Sequence, residues 1–208
     1  MNRPKLISSI ILFFSICLIC VTTTLAQNDT KPQIEPNYEA ILHVLLGSGD
    51  ASQSSVLPQS LSGVSKQLNT NFAFSNYKLI NTYFGRVANS GNLDYKSISN
   101  IYGVEQPESD SPSFLDWRLV GLKAAQADSG RAVFQITSFR FGARVPLKIG
   151  SFKDETGKSQ STINYESLGL SLDKLSVPEN VPTLIGTLSL PKTTGTVFLV
   201  LIVKSVEN

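Results

Sequence analysis

Histidine and cysteine are nearly missing from this chain. Of 208 residues one is histidine, His43, and two are cysteine, Cys17 and Cys20. A tetrahedral zinc site built from the usual nitrogen and sulfur ligands is therefore out of reach. Both cysteines fall in an N-terminal apolar stretch, so a chain without that stretch has no thiol and no disulfide, and its stability has to come from a core. Charge is scarce as well, at 16% of residues. Arg3 and Lys5 precede the apolar stretch, and without them the 18 basic residues fall to 16, equal to the 16 acids. A formally neutral chain lacks the excess of Lys and Arg that a general nucleic-acid binder needs.

The apolar stretch runs from Leu6 to Val21, shorter than the roughly 20 residues that span a bilayer. Thr22-Thr23-Thr24-Leu25-Ala26 comes next, with small residues three and one before a cut after Ala26. A basic start, an apolar centre and such a cut describe a secretory signal peptide over residues 1–26. Ile16 and Ile19 stand before the cysteines where a lipoprotein signal places small residues. The expectation is an exported protein, periplasmic or extracellular, with no integral membrane segment once the leader is removed. Residues 27–36 are polar and contain proline, a flexible lead-in.

From Tyr38 onward the chain is mostly strand-like. Tyr38 to Leu46 is apolar enough for a buried strand. Leu57, Leu61, Val64 and Leu68 recur at helical spacing, with Pro58 in the first turn. Tyr77 to Gly85 alternates again, and Asn89-Ser90-Gly91-Asn92 is a turn into Leu93 to Tyr102, which reads as the return arm of a hairpin. Strands are expected at Phe114 to Lys123, Val133 to Ile149, Ile163 to Leu172, Thr183 to Leu190 and Thr196 to Val203, the last apolar enough for a sheet centre. The fold class is therefore α+β, mostly antiparallel β. A β-helix-β-β lobe over 37–103 precedes an all-β, sandwich-like lobe over 114–208, or continues into it as one domain.

Chemistry-bearing patterns are few. His43 lies inside a strand with no acid or nucleophile beside it in sequence. The tetrads Ser75 to Lys78 and Ser171 to Lys174 fall at strands, whereas a lysine-activated serine usually shares a helix turn with its base. Gly47-Ser48-Gly49-Asp50 lacks the third glycine of a dinucleotide loop. Glu105, Glu108, Asp110, Asp154 and Glu155 have no calcium-loop spacing. No cofactor and no metal are expected.

The remaining feature is the strand from Val133 to Ile149. Val133, Phe139, Phe141, Ala143, Val145 and Leu147 share one face by alternation, and Phe134, Ile136, Ser138, Arg140, Gly142 and Arg144 share the other. Arg140 and Arg144 lie about 13 Å apart. Two arginines so placed either grip carboxylates of a partner or keep a sheet edge from pairing with other chains. Pro146 cannot donate to a ladder, which puts the strand's end at a sheet edge or at a bulge. Arg140, Arg144, Val145 and Leu147 are thus the candidate partner-binding residues.

Four fragments of the C-terminal third, Gly142-Ala143-Arg144-Val145-Pro146, Tyr165-Glu166-Ser167-Leu168-Gly169-Leu170-Ser171-Leu172, Leu184-Ile185-Gly186-Thr187-Leu188 and Val197-Phe198-Leu199-Val200-Leu201-Ile202-Val203, stand in an order that resembles the membrane-ring domain of bacterial outer-membrane secretins. The upstream β-helix-β segment is similar to the small periplasmic modules that precede such rings, and the whole chain resembles short exported bacterial proteins that share these fragments. The resemblance implies a non-enzymatic binding or scaffolding protein of the bacterial envelope, associated with a secretin-type secretion or pilus system. An extracytoplasmic carrier with a pocket between the lobes, and a hydrolase using His43 with a dispersed serine and acid, are the alternatives.

Overall fold

The computed structural model describes residues 37–49, 56–98, 112–127, 130–153, 155, 157–190 and 195–206. The expected signal peptide (1–26) and lead-in (27–36) lie outside them, as do Asp50, residues 99–111 with Glu105, Glu108 and Asp110, and Asp154.

Strand alternation builds the first sheet. Along β1 (Asn37–Ser48), Tyr38, Ala40, Leu42 and Val44 are buried while Glu39, Ile41 and His43 stay partly open. β1 pairs antiparallel with β2 (Asn76–Ala88) on one side and with β9 (Thr196–Ser205) on the other. β8 (Thr183–Ser189) flanks β9 and completes four strands. β9 is buried from Val197 to Val203 because both its faces are covered. Val197, Leu199, Leu201 and Val203 point into the main core, while Phe198 and Val200 point into a second cluster beneath α1 (Ser62–Asn71).

Helix α1 has no acid in its first turn and no base in its last, and no side chain caps its start. Packing holds it instead. Leu61, Val64 and Leu68 form the buried stripe, set against Leu45, Tyr77 and Phe198, and the Tyr77 hydroxyl donates to the Leu68 carbonyl at 3.0 Å. The expected helical stripe is present, with its first residues in a 3₁₀ turn at Gln59–Leu61 after Pro58.

The second sheet holds β3 (Asn92–Ile98), β4 (Phe114–Val120), β5 (Lys123–Gln126), β6 (Ala132–Lys153) and β7 (Ser159–Pro178). β6 is its spine. β4 and then β5 run along one flank of β6, β7 runs along the other, and β3 lies outside β4. The two sheets face each other across one core, in which Trp117, Phe134, Phe139 and Phe141 are fully buried beside Leu42, Leu199 and Leu201.

Strand order does not follow the 103–114 boundary: each sheet draws strands from both sides of it, so β1 and β2 share a sheet with β8 and β9 while β3 joins β4 to β7. Strand, helix and strand do succeed one another from Asn37 to Ala88, but β1 is hydrogen-bonded to β9 as closely as to β2. Nor is β3 the return arm of a hairpin with β2. Ser90, at φ 61°, turns the chain from one sheet to the other, and the Ser90 N–H donates to the Leu122 carbonyl at 2.6 Å. Finally, β6 runs past the expected end at Ile149, and Pro146 lies beyond the last β4 pair and close before a bulge, the settings expected for it. It pairs with β7 as far as Lys153, accommodating one bulge between Lys148 and Gly150.

The buried face of β6 is also not one parity throughout. Phe134 and Ile136 are buried at its start, Phe139, Phe141, Ala143, Val145 and Leu147 afterwards. The change falls at Thr137, which lies level with Gly121 on one flank and Lys174 on the other. Gly121 has φ 67° and Lys174 φ 56°. β7 changes parity at the same row, from Val177 and Leu175 to Leu172, Leu170 and Leu168. Two left-handed residues, Gly121 in the β4–β5 connection and Lys174 in β7, thus flank Thr137, and β6 and β7 turn over together at that row, which keeps apolar side chains on the core side.

Candidate functional site

Arg140 and Arg144 project from the outer face of the second sheet and are exposed. Their main chains are not at an edge: Arg140 lies between Arg118 of β4 and Ser171 of β7, and Arg144 between Phe114 and Ser167. A strand cannot be added at Arg140, because both ladder flanks are occupied. Val145 and Leu147 belong to the opposite face and are 0% and 5% exposed, so they support the strand from within and offer nothing to a partner. Whatever this face contacts, it contacts by side chains.

Strand register assembles the face around them. Ile98, Phe114, Arg144 and Ser167 form one row, Lys96, Asp116, Gly142 and Gly169 the next, and Asp94, Arg118, Arg140 and Ser171 the third. Arg118 is the residue that sequence reasoning missed. It alternates with Leu119 in β4, but nothing local says that it lies directly opposite Arg140. Like charges placed opposite each other across a ladder repel. Among the described residues, none of Arg118, Arg140 and Arg144 has a carboxylate within ion-pair distance. Asp116 leans over Gly142 instead, where an added Cβ would stand 2.8 Å from its Oδ1.

One end of the face is aromatic. The Arg144 guanidinium lies 5.7 Å from the centre of the Tyr165 ring, and Tyr165 packs on Phe114 at 5.9 Å. The Tyr165 hydroxyl donates to the Pro112 carbonyl at 3.0 Å, which fixes the ring. Stacking on an aromatic face orients a guanidinium while leaving its N–H donors free. On the β7 side the floor is small and uncharged, made of Ser167, Gly169 and Ser171, all exposed.

The other singled-out residues lie elsewhere. His43 is on the outer face of the first sheet, its Nδ1 2.9 Å from Thr82 Oγ1. Burial lowers its pKa below the ordinary 6.5, favouring the neutral ring. On that face Glu39 bridges Arg86 at 3.0 Å and Lys204 at 2.7 Å, and those two cations hold its carboxyl below the usual range, Lys204 foremost. Both Ser-x-x-Lys tetrads run along or into strands, β2 and β7, with no helix turn to bring serine and lysine together. Gly47 is a packing glycine, since an added Cβ would meet Phe198 at 2.7 Å. No group of three His, Cys, Asp or Glu that could hold a metal occurs among the described residues. None of their helices is long and apolar enough to cross a membrane.

No protein-family model matches the chain, and no curated protein sequence does either. The arginine face is therefore read on its own geometry.

Proposed function

We propose that this chain is an exported, non-enzymatic binding or scaffolding protein of the bacterial envelope, and that it holds a carboxylate-bearing segment of a protein partner on the outer face of its five-stranded sheet. The observation that carries the reading is Arg118 beside Arg140, with Arg144 two rows over, all exposed and without a carboxylate in ion-pair range among the described residues. An anion bound between Arg118 and Arg140 relieves the repulsion of two like charges placed opposite each other. Tyr165 and Phe114 give the same face an apolar end against which a partner side chain packs. Association with a secretin-type secretion or pilus system rests on the resemblance of the four fragments, of which the first pairs with the second in β6 and β7 and the third with the fourth in β8 and β9.

The test is a pull-down from envelope extract with the wild-type chain and with Arg140→Glu/Arg144→Glu, two exposed positions where substitution leaves the core intact. Loss of one salt-sensitive partner, by about tenfold or more in affinity, is expected for the double variant. A partner retained equally by both forms, or no specific partner at all, sinks the reading.

A further inference from the structure

Strand β7 leaves one margin of the second sheet open. It runs twenty residues, about 65 Å at strand rise, and is hydrogen-bonded to β6 on one flank along its length. On its other flank no strand of the described residues joins the ladder. Natural sheets keep such edges short, interrupt them or cover them. Here the interruption is Lys174, in the left-handed conformation. From there back to Ser159 the edge contains no proline.

The side chains of the same edge add a second observation. Leu168, Leu170 and Leu172 point toward the core but are only half-buried, as are Ile185 and Leu188 of β8 beside them. Leu170 fills the place above Gly186 where a Cβ would go. The flank of the molecule between β7 and β8 is thus an apolar margin as well as an open ladder.

The sequence of the edge indicates what completes it. Glu166-Ser167-Leu168-Gly169-Leu170-Ser171-Leu172-Asp173-Lys174 is nearly symmetric about Leu170. We infer that β7 pairs antiparallel with β7 of a second copy of this chain, about a twofold axis at Leu170. In that register Leu168 stands opposite the second copy's Leu172, Leu170 opposite itself, Gly169 opposite Ser171 and Glu166 opposite Lys174. Leucine meets leucine on the core side, small residues meet on the outer side, and each end of the ladder carries an opposite-charge pair. Shifting the register by two residues sets Glu166 against Leu172 in one direction and Lys174 against Leu168 in the other. Shifting it by one sets core-facing leucines against outward-facing serines. A self-complementary patch on a closed twofold is the commonest way for one chain to associate with itself.

Sedimentation equilibrium of the purified chain tests this, with Glu166→Lys and with the exchange Glu166→Lys/Lys174→Glu. Both positions are exposed, and circular dichroism checks that each variant keeps its sheets. The wild type is expected to be dimeric. Glu166→Lys, which places lysine against lysine at two symmetric positions, is expected to weaken the dimer about tenfold, and the exchange to restore it. A wild type that stays monomeric at about 0.1 mM, well above the range of specific dimers, overturns the proposal. So does a dimer that Glu166→Lys leaves unchanged, or one that the exchange fails to recover.

Discussion

His43 shares its hydrogen bond with Thr82, an uncharged partner, so nothing in direct contact stabilises an imidazolium. The acid on the same strand face is Glu39, already held by Arg86 and Lys204. Partial burial then dominates and sets the folded pKa below 6.5. As pH falls through the unfolded value, the unfolded chain takes up a proton that the folded chain refuses. Unfolding is therefore favoured progressively, until the pH drops below the folded pKa and the effect levels off. His43→Asn removes the difference in proton uptake. Urea unfolding at about pH 7.5 and about pH 5.5 is expected to show a larger loss of stability on acidification for the wild type than for the variant. Equal losses in the two proteins would mean that the imidazole is freely solvated. The same geometry bears on the hydrolase alternative, because a base whose neighbour is a threonine still needs a group to orient it, and the acid on this face is committed elsewhere.

At the scale of elements, the row Gly121, Thr137 and Lys174 decides whether β6 presents a consistent apolar face to the core. Gly121 has φ 67°, and an added Cβ would stand 2.5 Å from Thr137 Oγ1. Both the dihedral and the close approach require glycine. Gly121→Ala is expected to destabilise the fold by about 2 kcal/mol or more, measured as a lower urea midpoint, while Lys174→Gly relieves a left-handed lysine and raises it. A Gly121→Ala protein as stable as the wild type would show that the row is not a fixed corner. Little of this could be read from sequence. Strand positions in β2 and β4 come from alternation, those in β1 and β9 from short apolar runs, and the stripe of α1 from its spacing, because each is a local pattern. The parity change at Thr137 is not local. Threonine and lysine are ordinary strand residues, and only their alignment with Gly121 of the β4–β5 connection marks the turn-over. Pro146 was legible, since it lies where β6 pairs with β7 alone and close before a bulge, but the continuation past Ile149 to Lys153 was not, because pairing with β7 carries it.

At the scale of the whole molecule, strand order governs. Arg140 and Arg144 were legible as an exposed basic pair, because alternation fixes their face. Arg118, Phe114 and Tyr165 were not, because β4 and β7 reach that face only through long-range pairing. If β7 pairs with a second β7, the outer faces of the two sheets become continuous, and two arginine sites lie on one surface on either side of the twofold. The same long-range pairing makes a claim about folding. Each sheet takes strands from both the 37–103 and the 114–208 segments, and β9 near the C-terminus lies between β1 and β8 in the first sheet. Neither segment alone can bury Leu42, Leu199 and Trp117, which share one core. Trp117, the one tryptophan of the chain, is fully buried in the second sheet. Its fluorescence therefore reports on that sheet, while far-ultraviolet circular dichroism reports on both. Unfolding in urea followed by the two signals is expected to give coincident single transitions, and residues 114–208 produced alone are expected not to fold. Two separated transitions, or a folded 114–208 fragment with a buried tryptophan, would mean that the two segments are independent lobes despite their shared sheets.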